Sequence, residues 1–172
     1  MPALPSWDLL LTLFVLVSVA YGFMIQRERV IVTLLSIYVG FVVSQLLSDT
    51  IAQFFAGEKT VGGSFFIRSS ASPFSIHAAL FLGCVALITA KSGLSGNRER
   101  GGSLSTIEVV AYAGLNAALI ASVLIGYLDP AAQATLLETS KNAAFVFSHQ
   151  AWWLIAPILL MIITGHQSRN DY

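Results

Sequence analysis

The chain predicts an all-α polytopic membrane protein, a helical bundle of four to five transmembrane helices with a short amphipathic, interfacial segment. Three observations predict it. Of 172 residues, 56% are hydrophobic and only 10% charged, whereas a soluble domain carries about 25% charged residues. The mean hydropathy is +0.77, more apolar surface than one water-soluble core hides. The apolar residues also fall into runs of about 18 residues or more, long enough to cross a bilayer as helices. The whole chain, 1–172, reads as one integral membrane domain with polar loops at 48–72 and 91–106.

The first span covers 7–25, with Trp7 and Tyr21 near its ends as aromatic belts. A cleaved signal peptide is the rival reading, because Ser18-Val19-Ala20 loosely resembles a cleavage site. The stretch before the run carries Asp8 and no Lys or Arg, which disfavours it. Asp8 itself is expected at the wet interface or capping the helix start, where a carboxylate suits the dipole. Gln26-Arg27-Glu28-Arg29 makes a short charged turn into a second span, 30–47, so the two helices are expected to be antiparallel neighbours, a helical hairpin.

In the second span Ser36, Gly40 and Ser44 repeat four apart, with Gln45 beside them. Small residues at that spacing let helices approach closely, which matters in lipid because hydrophobicity alone does not draw one apolar helix to another. Residues 48–73 mix Asp49, Glu58, Lys59, Arg68 and several glycines with Phe54-Phe55 and Phe65-Phe66. A loop with a short amphipathic helix at 49–56 lying on the membrane surface is the preferred reading. A re-entrant segment lining a cavity is the alternative.

Ser72-Pro73 starts the third span, 73–90, with Ser72 as N-cap and proline at the first helical position. His77 lies one turn inside it. The loop 91–106 is polar and flexible in composition. Gly93-Leu94-Ser95-Gly96 matches the GxSG pattern of rhomboid proteases, but the charged residues that follow at once give the wrong context for an intramembrane serine. Ser105-Thr106-Ile107-Glu108 has the capping-box form, which accounts for both Ser105 and Glu108.

The fourth span, 107–128, is expected to be the hub of the bundle. Gly114, Ala118, Ser122 and Gly126 line one stripe, Ala113, Ala117 and Ala121 flank it, and Asn116 sits inside. Its natural partner is the stripe on the second span. Asp129-Pro130 then stops one helix and starts a short surface helix over 130–141, with Asp129 as cap. A last apolar run, 143–164, carries His149, Gln150 and two tryptophans in its first half. Pro157 is expected to kink it, and a half-inserted or strongly tilted helix is the alternative to a full span.

Five spans put Arg27, Arg29, Lys91, Arg98, Arg100 and Arg169 on one side and Lys59, Arg68 and Lys141 on the other. The positive-inside rule then places the N-terminus outside and the C-terminus in the cytoplasm.

Composition and motifs exclude several classes. The formal net charge is zero and no basic run occurs, which argues against nucleic acid. The single cysteine, Cys84, allows no disulfide within the chain. His77, His149 and His166 have no carboxylate or Cys at metal-ligand spacing. No phosphate loop, dinucleotide fingerprint or HExxH is present. No catalytic, metal or cofactor-binding residue is therefore expected. The candidate intramembrane polar residues are His77, Asn116, Gln45 and His149.

One resemblance adds to this. Trp7-Asp8-Leu9-Leu10, an apolar run to Tyr21-Gly22-Phe23, and Arg27-Glu28-Arg29 before a second span resemble the opening of the colicin V production protein (CvpA) family. The small-residue-rich stretch 112–127 resembles that family's Gly-rich late helix, and Glu138-Thr139-Ser140 its short segment after that helix. The likeness covers about 1–47 and 105–145. It implies a small bacterial inner-membrane protein whose relatives are linked to toxin export and envelope upkeep.

Two function classes follow. One is a non-enzymatic scaffold or assembly factor, packing against itself as a homo-oligomer or against a larger membrane-protein partner within the lipid bilayer. The other is a subunit of a small channel or transporter whose path is lined by the intramembrane His, Asn and Gln. Polar residues on one shared interior surface would favour the second, and polar residues bonded within helix pairs the first.

Overall fold

The apolar runs form helices, which pair the backbone N–H and C=O groups within each segment. A computed structural model describes residues 6–24, 27–55, 72–92 and 106–167, and these are almost wholly helical. The helices are α1 (Trp7–Met24), α2 (Arg27–Phe55), α3 (Pro73–Lys91), α4 (Thr106–Gly126), α5 (Pro130–Thr139), α6 (Lys141–Ser148) and α7 (Gln150–Gln167). Among the described residues, four helices are long and apolar enough to cross a membrane. There are five if α6 and the start of α7, bent by 61° at their break, count as one span.

The hub expectation holds. In its most apolar stretch α4 is 61% buried, against 33% for α2, 17% for α3 and 6% for α1. It packs on α1, α2, α6 and α7, while α2 packs mainly on α3. The main core joins Val30, Leu34 and Ile37 of α2, Phe81 of α3, and Val109, Tyr112, Leu119 and Val123 of α4. A second cluster, Ile125, Leu136 and Ala143, seals the end of the bundle where α5 and α6 lie. Leu13, Leu16 and Val17 of α1 and Ile158, Ile162 and Ile163 of α7 face outward, an apolar exterior suited to lipid.

Four expectations need correction. The segment after the second span does not begin a separate surface helix at 49. α2 continues unbroken to Phe55, because no Gly or Pro lies between Gly40 and Gly57 to stop it. Residues 56–71, where the re-entrant alternative falls, lie outside the described residues.

α1 and α2 do not form a packed hairpin. They make little contact with each other, and α1 packs on α4 instead. The reason is a small-residue match: a methyl built on Gly22 would stand 2.7 Å from the Ala113 methyl. No other α1 position among the described residues is buried.

The α2 stripe does not meet the α4 stripe. A methyl on Gly40 would lie 3.1 Å from both the Phe81 carbonyl oxygen and Val85 Cγ2, so Gly40 faces α3. Thr89 of α3 donates to Ser36 Oγ at 3.4 Å. Of the stripe, Ser44 alone is bonded to the α4 region, through Tyr127 just beyond that helix.

The last run is not one helix kinked at Pro157. It breaks at His149, and α7 runs through Pro157, which is fully buried. The short surface helix ends at Thr139 because Ser140 closes it and caps the next helix.

Candidate functional site

The expected caps fall as follows. Ser72 accepts from the Ser75 amide at 3.2 Å and Asp129 from the Ala132 amide at 2.9 Å, each with proline next in sequence. Glu108 lies in the first turn of α4. Ser105, and the GxSG motif with Ser95, lie outside the described residues.

The four candidate polar residues do not share a surface. Asn116 is 6% exposed and donates from Nδ2 to the Val30 carbonyl at 3.1 Å, joining α4 to the start of α2. His77 is half-buried and its Nδ1 meets the Pro73 carbonyl at 2.9 Å. A carbonyl only accepts, so Nδ1 is the donor in this bond. His149 is exposed, with Nδ1 2.9 Å from the Phe145 carbonyl and its ring 4.6 Å from that of Phe145. Gln45 is exposed.

Asn116 lies midway along α4, and His77 sits just beyond its C-terminal end. His77 stacks on Tyr127, ring centroids 5.1 Å apart. Tyr127 lies 11 residues beyond Asn116, roughly 16 Å of helix rise. The structure therefore yields three separate polar clusters.

The first ties α2, α3 and the end of α4. The Tyr127 and Ser44 hydroxyls are hydrogen-bonded, Ser44 donates to the Phe41 carbonyl at 2.8 Å, and Phe81 meets the Tyr127 ring edge-on. The second is Asn116 against Val30, beside a cavity of about 150 Å³ lined by parts of α1, α2 and α4. The third lies at the N-terminal end of α1. Asp8 Oδ1 accepts from the Ser140 hydroxyl at 2.6 Å and from the Asn142 amide at 2.9 Å, while the Asn142 side chain donates to Thr12 Oγ1 at 3.1 Å. Asp8 thus caps α6 rather than its own helix, supplying an acceptor to an orphan amide there.

The packing residues divide likewise. Ser36, Ser44 and Ser122 are fully buried, and Ser122 returns its hydroxyl to the Leu119 carbonyl at 2.9 Å. A methyl placed on Gly114 would meet nothing within 4 Å, and Gly126 is exposed. Gly114 and Ala118 floor an apolar groove of about 660 Å³ between α1, α6 and α7.

Two bonds escaped the sequence reading. Tyr38 of α2 donates to the Leu154 carbonyl of α7. That carbonyl lies one residue past that of Trp153, the one Pro157 leaves without its helical amide partner. A mid-span tyrosine needing an acceptor was the available signal. The Trp153 indole donates to the Val146 carbonyl at 2.8 Å, satisfying the end of α6 at the bend.

Among the described residues no group of three or more His, Cys, Asp or Glu is placed to hold a metal ion. Comparison with family models, characterised proteins and solved structures returns no match.

Proposed function

We propose that the protein is a non-enzymatic scaffold or accessory protein of the bacterial inner membrane, in the manner of the colicin V production proteins it resembles. In this reading its N-terminus faces outward and, if the bent pair crosses, its C-terminus lies in the cytoplasm. The observation that carries the reading is how the buried polar groups are used. Asn116 bonds to Val30, Tyr38 to Leu154 and Tyr127 to Ser44, each joining two parts of the bundle, while His77 bonds within its own helix. Such bonds hold helices together in lipid. They do not line one path, which speaks against the channel alternative.

The groove over Gly114 and Ala118 adds a recess where a further helix of a second copy or of a larger partner would pack closely. Native mass spectrometry of the protein extracted into lipid nanodiscs from its own membrane tests this. The expected result is a complex with a second copy or with a larger membrane protein, disrupted by Gly114→Leu. A single chain without any protein partner, or an ion flux through the purified protein, would refute the scaffold reading.

A further inference from the structure

α1 packs on α4, whereas α3 packs on α2. Where α1 and α3 begin, at the end of the bundle that α5 occupies, an apolar recess of about 550 Å³ lies between them. Trp7, Leu11 and Phe14 line it from α1 and Phe74 from the first turn of α3. Ala121 of α4 lines it too. Ala132 and Thr135 close it from α5, and Gln133 of the same helix donates to the Ile125 carbonyl at 3.1 Å, which ties α5 to the last turn of α4.

The lining restricts the guest. Water needs two to four polar partners, and no charged side chain lines the recess. Its one hydroxyl, on Thr135, already donates to the Ala131 carbonyl at 2.9 Å. The other polar side-chain group of the lining is the indole of Trp7, at the end of α1 where aromatic belts sit. From Trp7 to Phe14 the recess follows α1 for roughly 10 Å of rise, against about 30 Å of hydrocarbon in a bilayer. It therefore lies within one leaflet, with α5 across one end. A further transmembrane helix, which runs the full thickness, would meet α5. Hydrocarbon of leaflet length fits, and in a membrane that is a lipid chain. The drive is contact rather than hydrophobicity: walls without neighbours forfeit dispersion energy, and a flexible chain restores it.

We propose that this recess is a lipid site, which takes one acyl chain of a phospholipid entering sideways between α1 and α3. The chain supplies the packing that these two helices do little to give each other. The proposal rests on the membrane placement of the chain and not on the scaffold reading.

Native mass spectrometry of the protein released from nanodiscs of palmitoyl-oleoyl phosphatidylglycerol tests this. Ala131 and Ala132 are exposed neighbours on α5, and of the two only Ala132 lines the recess. The parent and Ala131→Trp are expected to retain a single phospholipid. In Ala132→Trp the retained fraction is expected to fall at least about tenfold, because the indole takes the space of the chain. Thr135→Trp, one turn along on the same lining, is expected to do the same, so the result does not hang on one variant folding well. A parent that retains no lipid would overturn the proposal. So would equal retention by Ala131→Trp, Ala132→Trp and Thr135→Trp, which would put the lipid elsewhere on the surface.

Discussion

Ser140 donates its hydroxyl to Asp8 at 2.6 Å across 132 residues of sequence. The same hydroxyl accepts from the Ala143 amide at 3.0 Å, so one side chain both caps α6 and fastens it to α1. Ser140→Ala removes both bonds and is expected to cost about 0.5–2 kcal/mol, the range for losing an N-cap. Asp8→Ala is expected to destabilise more than Asp8→Asn, which keeps an acceptor for the Asn142 amide. In thermal unfolding of the detergent-solubilised protein, the Asp8→Ala/Ser140→Ala double variant should lose less than the sum of the singles, because they share the bond. Additive losses would mean the contact contributes nothing.

Gly22 and Ala113 make the closest approach of α1 to α4 for which a glycine is required. The obstacle to Gly22→Ala is a methyl fixed to backbone, so a helix must move. Overpacking of this kind costs about 1–3 kcal/mol. Ala113→Gly should restore most of the loss in the double variant, which chemical denaturation in mild detergent would reveal. Failure of that rescue would place the strain elsewhere.

The Tyr38 hydroxyl donates to the carbonyl of Leu154 and so joins α2 to α7. Tyr38→Phe is expected to cost about 0.6 kcal/mol and at most about 1.7, as interhelical hydrogen bonds in membranes do. Thermal unfolding of the detergent-solubilised protein should show this loss. An unchanged unfolding temperature would show that the bond adds nothing to the pairing of α2 with α7.

Trp153 holds the 61° bend between α6 and α7 by satisfying the Val146 carbonyl. Trp153→Phe keeps the apolar bulk but not the donor. Spin labels at Asn142 and Ile162, both on exposed positions, should report a broader distance distribution in this variant than in the parent. An unchanged distribution would show that packing alone sets the bend.

Much of this architecture was legible in the chain itself. Run length and apolar content determined the membrane-length helices. Ser72-Pro73 and Asp129-Pro130 marked two helix starts, and the density of Ala, Gly and Ser in 107–128 marked the hub. These are local properties, decided by neighbours within a turn or two. The tertiary structure alone decided which faces meet. The Ser36–Gly40–Ser44 stripe went largely to α3, α1 chose α4 through Gly22 and Ala113, and Asp8 capped a helix more than 130 residues away. In lipid every apolar face is equally content to be exposed, so hydrophobic pattern does not rank the pairings. Close packing and the few polar groups that need partners do, and those depend on the whole bundle at once.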